Sequence, residues 1–311
     1  AIHSFKSKKD INVFILHPHN KVSPVQQKQM TTVIDKNIFN IAIDGNFDDC
    51  QKIVKELFVD DEIQQSTSLT AVNSINWARL IAQVVYYFWA YLQTDKNQIN
   101  FIVPSGNFGN IFSAFVAKQM GLPIGQLHIA TNSNDILKSI VDNGEMKKKS
   151  VSQTYSPSMD IQVSSNFERQ IFESLNRDSN KVNEIFEIFS SSGFYQFDAS
   201  VSAKFQEIYK VSSIDDNQTL ETIKYAYEKY NYIADPHTAT GLKVLLEKKD
   251  DEAWVSLVCA HPAKFDEAVN KAINKEIDIP KELSNLFDKE EKMTILESKS
   301  EEVKSHILEN I

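Results

Sequence analysis

One short loop, Ser105–Asn110, has the residue types that bind an anion through the protein backbone. It reads Ser-Gly-Asn-Phe-Gly-Asn and follows an apolar, β-branched run that is typical of a buried strand. Gly106 and Gly109 allow backbone N–H groups to approach a ligand closely and to adopt torsion angles that other residues avoid. A helix is predicted to begin directly after the loop, so the positive end of its dipole would face the same point. The loop therefore predicts an anion site suited to a phosphate group.

The spacing of the glycines excludes two familiar nucleotide-binding loops. A Walker loop ends in Gly-Lys-Ser/Thr, whereas Asn110 and Ile111 follow Gly109 here. The dinucleotide fingerprint needs three glycines in the spacing G-x-G-x-x-G, and only Gly106 and Gly109 are present. From these residues alone, an ordinary tight turn between a strand and a helix is an equal alternative to a phosphate site.

The elements around the loop alternate between strands and helices. Apolar runs at 11–16, 38–43, 99–104 and 126–131 predict strands, and amphipathic segments between them predict helices. This order predicts a parallel sheet with helices on its faces, and such sheets bind ligands beyond the carboxyl ends of their strands. From about 144 to 231 amphipathic helices dominate, and we interpret this part as a helical insertion.

Composition limits the classes of function that the chain can have. It has 311 residues and a net charge of −9, with basic residues dispersed among acidic ones, which excludes the basic surface of a nucleic-acid-binding protein. The apolar stretches are too short to span a membrane. Cys50 and Cys259 lie far apart, without the spacing of a metal site or a disulfide framework, which favours a reducing, cytoplasmic setting.

The complete hexapeptide is similar to the cofactor-phosphate loop of the threonine synthase family, whose members use pyridoxal 5'-phosphate (PLP). Further strings resemble the same family, occur in the family's order and cover nearly the whole chain. They are VSPVQQKQM (Val22–Met30), AVNSINWAR (Ala71–Arg79), MGLPI (Met120–Ile124), ATNSNDIL (Ala130–Leu137), SPSMDI (Ser156–Ile161), SNFER (Ser165–Arg169), DPHTATG (Asp235–Gly241) and AHPAKF (Ala260–Phe265). The chain is identified as the C-terminal portion of such a protein.

The resemblance implies a fold, a domain division and a reaction. The fold is that of fold-type II PLP-dependent enzymes (tryptophan synthase β-like), an α/β architecture with a parallel or mixed sheet flanked by helices. Residues 1–66 would be the remainder of the smaller α/β domain, and 67–311 the large PLP-binding domain with the helical insertion at about 144–231. The reaction is the conversion of O-phosphohomoserine and water to threonine and phosphate, the last step of threonine biosynthesis.

The resemblance also assigns roles to individual residues. Cys259 lies where relatives place a threonine that faces the pyridine nitrogen of the cofactor, and a neutral thiol there would leave this nitrogen unprotonated. The alternative for Cys259 is a small buried residue at the end of a strand. The residues that would bind the cofactor phosphate are Gly106, Asn107, Phe108, Gly109 and Asn110.

Arg79, together with Ser74 and Asn76, is predicted to bind the phosphate of the substrate. It is one of only three arginines and lies in an otherwise apolar helix, where a buried guanidinium would need an anionic partner. A structural ion pair with a carboxylate is the alternative. His237 and His261 lie beside prolines near the expected site, and each could either assist proton transfer or make a structural hydrogen bond.

The chain lacks the lysine motif that a PLP enzyme needs. The family's lysine, which forms a Schiff base with the cofactor, belongs to a Phe-Lys-Asp-type motif that does not occur here. Lys6 follows a phenylalanine but precedes Ser7, and Lys243 and Lys264 are predicted to lie on the surface. We therefore expect no catalytic residue within these 311 residues, a lysine in an N-terminal segment of the same enzyme, and no activity from the chain alone.

Two other functions are open at this point. A different fold-type II lyase, such as a serine or threonine dehydratase, would share the cofactor loop. The strings NSINWAR and SNFER favour the synthase, because a dehydratase has no phosphorylated substrate to bind. The second alternative is a non-catalytic binding or regulatory protein that descends from a synthase and has lost its lysine.

Overall fold

The structure is a computed structural model that describes residues 2–73, 75–278 and 280–311. Its helices, in chain order, are α1 (Ile2–Phe5), α2 (Pro24–Thr31), α3 (Phe47–Phe58), α4 (Asp61–Ser66), α5 (Trp77–Leu92), α6 (Gly109–Gln119), α7 (Ile136–Asn143), α8 (Phe167–Ser174), α9 (Ser179–Ser192), α10 (Ala199–Ile208), α11 (Asp216–Tyr230), α12 (Pro236–Leu246), α13 (Asp266–Ile273), α14 (Lys281–Ser284) and α15 (Ser300–Leu308). Its strands are β1 (Val13–Pro18), β2 (Ile38–Asp44), β3 (Ile99–Pro104), β4 (Ile124–Thr131), β5 (Glu145–Lys147), β6 (Phe194–Gln196), β7 (Tyr209–Ser213), β8 (Trp254–Ser256) and β9 (Thr294–Glu297).

The chain forms two compact units. The first comprises Ala1–Val72, Ala263–Phe265 and Ile277–Ile311, and the second comprises Asn73–Pro262 and Asp266–Glu276. This division differs from the predicted one, which ended the smaller domain at 66 and placed all of 67–311 in the larger domain. The main difference arises at the carboxyl terminus, where β9, α14 and α15 belong to the first unit.

The first unit is built on a parallel sheet with the strand order β1-β2-β9. The sequence predicts one helix that begins at Pro24 after Ser23 and another that is capped by Asn46. Both starts are confirmed, since Ser23 forms a capping box with Gln26 and Asn46 caps α3. The charged sequence from Lys281 onward predicts a helical tail, and this prediction is wrong for Thr294–Glu297. That segment pairs with β2, because the free edge of β2 offers unpaired backbone groups that a short, partly apolar segment satisfies.

The second unit contains a four-stranded parallel sheet with the order β7-β4-β3-β8. Every residue of β3 is buried, as expected for a central strand covered on both faces, and the predicted bounds Ile99–Pro104 are confirmed. Because the strands are parallel, the segments that follow their carboxyl ends lie at one edge of the sheet. This edge carries the loop that begins at Ser105.

The predicted helical insertion at 144–231 contains a strand of the central sheet. Within it the amphipathic pattern predicts a helix over Val201–Val211. The observed helix α10 ends at Ile208, and Tyr209–Ser213 forms β7 beside β4. Tyr209 is fully buried and its hydroxyl donates to Oε1 of Gln170 at 2.6 Å, a contact that a continued helix would not make. A long-range contact of this kind has no signature in the local sequence pattern.

Helix α5 is less buried than its apolar sequence indicates. Leu80, Val84 and Tyr87 face the core, whereas the opposite side of the helix is exposed and also apolar. The exposed large apolar side chains are Trp77, Ile81, Val85, Tyr86, Trp89 and Leu92. Within the described residues, no helix has both the length and the apolar character needed to cross a membrane.

Gly241 allows α12 to pack closely against the end of β3. A Cβ atom at this position would lie 2.7 Å from Oγ of Ser256 and 2.9 Å from Cγ of Pro104. We predict that Gly241→Ala lowers the free energy of unfolding by about 1–3 kcal/mol through overpacking, although alanine favours a helix by about 1 kcal/mol. Urea denaturation measures this change, with Glu247→Ala at the exposed end of the helix as a control. An unchanged or raised midpoint for Gly241→Ala would contradict the close approach.

Candidate functional site

The loop Ser105–Asn110 leaves the carboxyl end of β3 and leads directly into α6, as predicted. The prediction that its glycines adopt unusual torsion angles is wrong. Among the described residues with a positive φ, the loop contributes Phe108, at 64°, and neither of its glycines. The left-handed conformation costs a non-glycine residue about 1–3 kcal/mol. Packing offsets this cost, because the buried ring of Phe108 lies edge-on to Phe167 at 4.9 Å and to Tyr209 at 5.3 Å between ring centroids.

Gly106 is required for a different reason, which is close backbone contact. A Cβ atom there would lie 2.9 Å from Cα of Met159, a backbone atom that side-chain movement cannot displace. Met159 belongs to a three-ten turn, Pro157–Met159, that supports the loop from behind. The glycine thus permits the loop to lie against this turn.

The backbone carbonyl groups of the loop are held by hydrogen bonds from the surrounding protein. The donors come from the loop itself, from helix α5 and from the segment that precedes α8. The bonds run from Nδ2 of Asn110 to Pro104 O (2.7 Å), from Oγ of Ser164 to Gly106 O (2.7 Å), from N and Nδ2 of Asn166 to Asn107 O (3.2 and 3.0 Å), and from the hydroxyl of Tyr87 to Asn110 O (2.6 Å). The side chain of Asn110 therefore closes the loop, and its Oδ1 accepts from Oγ of Ser105 at 2.6 Å.

The N–H groups of the loop face the opposite way. The carbonyl of each peptide unit is antiparallel to its N–H, so holding the carbonyls of Gly106 and Asn107 turns the N–H groups of Asn107 and Phe108 outward. Within the described part of the chain, no backbone N–H from Gly106 to Asn110 donates to a protein acceptor. Adjacent N–H groups of this kind form an anion site, and each hydrogen bond to a charged group contributes about 1.5–3 kcal/mol. The first turn of α6 adds the positive end of its dipole.

A second cluster, at the start of α12, is organised by Asp235. This carboxylate is 1% exposed, and both of its oxygens accept hydrogen bonds from neighbouring groups. Oδ1 accepts from the backbone N and from Nδ1 of His237, both at 3.0 Å. Oδ2 accepts from the hydroxyl of Thr238 and from the N–H of Ala260 at 3.1 Å. Nε2 of His237 lies 3.1 Å from the N–H of Ser158 and accepts from it, which assigns the ring proton to Nδ1.

Asp235 was not singled out from the sequence, although Asp-Pro before an apolar helix is a helix-start signal. Burial opposes its ionisation, but the hydrogen bonds from His237, Thr238 and Ala260 outweigh this effect and lower the pKa of the carboxyl group. The carboxylate is therefore ionised at neutral pH. It joins the start of α12 to the segment that carries Cys259.

Cys259 follows β8, in a segment that runs alongside the end of β3. The N–H of Leu257 donates to Ile102 O at 3.0 Å, so the chain after β8 continues alongside β3 towards Ser105. Solvent reaches the Cys259 side chain, which contradicts the alternative of a buried strand-end residue. Even so, the surrounding protein desolvates the thiol and, with the nearby Asp235 carboxylate, raises the pKa of Cys259 to about 12. The thiol is neutral at physiological pH.

The residues predicted for the substrate phosphate are only partly described. Ser74 lies outside the described residues, and Asn76 caps α5, where its Oδ1 accepts from the N–H of Ala78 at 2.9 Å. The expectation that Arg79 is buried is wrong, because the helical period directs Leu80 inward and leaves Arg79 exposed. The roles of these residues stay predictions.

The other residues considered from the sequence have surface or structural positions. Lys243 pairs with Glu247 at 3.0 Å, as expected for an outward-facing lysine. Lys6 and His261 are exposed, and Lys264 is half-buried.

Comparisons with known proteins agree with the resemblance found in the sequence. The family model described as "Threonine synthase, C-terminal" matches residues 238–307. The threonine synthase of Pseudomonas aeruginosa is 43% identical over 312 residues, which cover 99% of this chain and 66% of that protein. This chain therefore spans just under two thirds of that relative's length.

Solved structures give the same result. The crystal structure of PLP-bound threonine synthase from Brucella melitensis is 42% identical, with a TM-score of 0.88 over 100% of this chain and 68% of that one. Yeast threonine synthase is 39% identical, with a TM-score of 0.86 over 100% of this chain and 67% of that one.

We predict that Asp235→Asn destabilises the protein by about 3 kcal/mol at pH 7, because the amide NH₂ would face groups that are themselves donors. The pKa of Asp235 in the folded protein lies below the ordinary value of 3.8. Its contribution to the free energy of unfolding is therefore complete above pH 3.8 and is lost as the pH falls through the folded pKa. The difference in free energy of unfolding between wild type and Asp235→Asn should therefore be constant from about pH 7 to 5 and become smaller below about pH 4. Chemical denaturation at several pH values measures it, with exposed Asp251→Asn as the control. A difference that grows on acidification would refute this account.

Proposed function

This chain belongs to the threonine synthase family, and we propose that it provides the cofactor-phosphate site of an enzyme that converts O-phosphohomoserine and water to threonine and phosphate. The observation that supports the proposal is the row of backbone N–H groups from Gly106 to Asn110, which have no acceptor within the described chain. The fold is that of fold-type II PLP enzymes, as predicted from the sequence.

The loop fits the phosphate of PLP by charge and by chemistry. Its donors are the backbone N–H groups of Gly106, Asn107, Phe108, Gly109 and Asn110, and no lysine is needed to neutralise the anion. When bound, PLP supplies an electron sink that makes the carbon atoms of an amino acid substrate acidic. The protein binds and orients the cofactor, and the carbonyl contacts to Ser164 and Asn166 keep the loop in its binding conformation before the ligand arrives.

Cys259 is proposed to face the pyridine nitrogen of the cofactor. Its position beside β3 and its neutral thiol, with a pKa of about 12, support this role. A neutral partner leaves the nitrogen unprotonated, whereas a carboxylate would hold a proton on it. Both oxygens of the Asp235 carboxylate accept hydrogen bonds from His237, Thr238 and Ala260, so its charge would orient the segment rather than the cofactor.

Ser74, Asn76 and Arg79 are proposed to receive the phosphate of the substrate. The exposed guanidinium of Arg79 lies in the first turn of α5, where the helix dipole also favours an anion. His237 is proposed to be structural, since Asp235 and the N–H of Ser158 each engage one of its ring nitrogens. The same hydrogen bonds argue against a role for His237 in proton transfer.

The proposal is tested with protein expressed from the complete reading frame. We expect it to retain PLP and to release threonine and inorganic phosphate from O-phosphohomoserine in equal amounts. Gly109→Asp should abolish PLP retention and lower activity at least a hundredfold, because a carboxylate in the loop repels the cofactor phosphate. Gln119→Asp, with the same charge at the exposed far end of α6, is the control and should retain PLP.

Three outcomes would reject the proposal in different ways. Release of a 2-oxo acid from serine or threonine, with no reaction of O-phosphohomoserine, would identify a dehydratase. Failure of the wild-type protein to bind PLP would favour a non-catalytic descendant. Normal PLP retention by a folded Gly109→Asp protein would show that the phosphate binds elsewhere.

A further inference from the structure

Arg169, in the first turn of α8, is a half-buried cation held by neutral groups. Its Nη2 donates to Ile75 O at 3.0 Å and its Nε donates to Oδ1 of Asn166 at 3.4 Å. Its Cζ lies 5.3 Å from the ring centroid of Trp77. Among the described residues, no carboxylate forms a salt bridge with Arg169. These contacts orient the guanidinium without neutralising it.

Arg177 shows the usual arrangement on the same part of the chain. It is exposed, and its Nε donates to both oxygens of the Glu173 carboxylate, at 3.1 and 3.2 Å. A half-buried guanidinium is costly to leave without an anion, because burial weakens its hydration. The surroundings of Arg169 therefore favour the binding of a negatively charged ligand.

Several donors of Arg169 are available for such a ligand. A guanidinium has five N–H donors, and the contacts to Ile75 and Asn166 use two of them, which leaves three. The two hydrogen bonds and the Trp77 ring, whose centroid lies 5.3 Å from Cζ, restrain the guanidinium, so these donors keep a constant direction. A planar fork with fixed donors matches a phosphate group, which can accept two parallel hydrogen bonds from it.

The position of Arg169 links the two groups of residues that the proposed function uses. The side chain of Asn166 donates to Asn107 O in the cofactor loop at 3.0 Å and accepts from Arg169. On its other side Arg169 contacts Ile75 and Trp77, which flank Asn76. The guanidinium therefore lies one side chain away from the cofactor loop and directly against the start of α5.

We propose that Arg169 binds the phosphate of the substrate, as a second cation in addition to Arg79; this inference rests on the proposed function. A phosphate monoester carries a charge of about −1.5 to −2 at neutral pH, so one arginine leaves it only partly neutralised. The cofactor phosphate nearby is bound by N–H groups without a side-chain cation, and a second dianion beside it requires positive charge. Arg169 supplies that charge between the two anions.

The alternative is that Arg169 only holds Ile75 and Trp77 in place. Two variants separate the possibilities. Arg169→Gln keeps a donor for Ile75 O but removes the charge, and Arg169→Lys keeps the charge but removes the planar fork. Arg177→Gln is the matched control, because it removes an exposed arginine close by in the sequence.

The test is steady-state kinetics of the PLP-loaded enzyme with O-phosphohomoserine, together with competitive inhibition by inorganic phosphate. In the loaded enzyme the cofactor fills the loop, so added phosphate reports on the substrate site. We expect Arg169→Gln to raise both KM and the inhibition constant for phosphate at least tenfold, with kcat changed less than threefold. Arg169→Lys should give intermediate values, and Arg177→Gln should match the wild type.

Two results would overturn the inference. One is an unchanged KM and inhibition constant in Arg169→Gln. The other is an equal rise of the phosphate inhibition constant in Arg169→Gln and Arg169→Lys, which would mean that the positive charge does not contribute. If the wild-type enzyme does not use O-phosphohomoserine, the proposed function fails separately. Calorimetric titration of the wild type and the same three variants with inorganic phosphate then decides about Arg169, with the same order of affinities expected.

Discussion

Ser164 and Asn166 donate hydrogen bonds to the carbonyls of Gly106 and Asn107, and these contacts determine which way the loop faces. With these carbonyls held on the protein side, the N–H groups of Asn107 and Phe108 face away from the side chains that hold the carbonyls. Phe108 makes this arrangement possible by adopting the left-handed conformation, and its ring is held by the aromatic side chains of Phe167 and Tyr209. The orientation of the loop's N–H groups thus depends on the side chains that pack behind the loop.

Hydrogen bonds within the protein also fix the segment that carries Cys259. Asp235 is surrounded by donors, so its negative charge is used to join the start of α12 to the segment of Cys259. Anion binding by a protein with a net charge of −9 must then depend on local donors, because its overall field repels phosphate. The N–H groups of the loop, the amino end of α6 and the two arginines in and beside α5 are the donors that we propose for this role.

Local sequence patterns predicted the parts of the fold in which short-range forces dominate. Strand β3, the loop and the capped helix starts were predicted because each has a compact signature of apolar runs, glycines or capping residues. Strand β7 could not be predicted, because Tyr209–Ser213 becomes a strand through pairing with β4 and through the buried hydroxyl of Tyr209. Likewise, the left-handed residue of the loop is Phe108, because rings distant in the sequence stabilise it. The contacts of Arg169 with Ile75 and Trp77 are equally long-range and have no local sequence signature.

The central claim, that backbone N–H groups of the loop bind the cofactor phosphate, is tested most directly by NMR of the ¹⁵N-labelled protein. Amide resonances are recorded before and after addition of PLP, and in parallel with pyridoxal, which lacks the phosphate. We expect the resonances of Gly106 to Asn110 to shift strongly and their hydrogen exchange to slow with PLP but not with pyridoxal. Resonances that do not change with PLP, or that change equally with both compounds, would contradict the account.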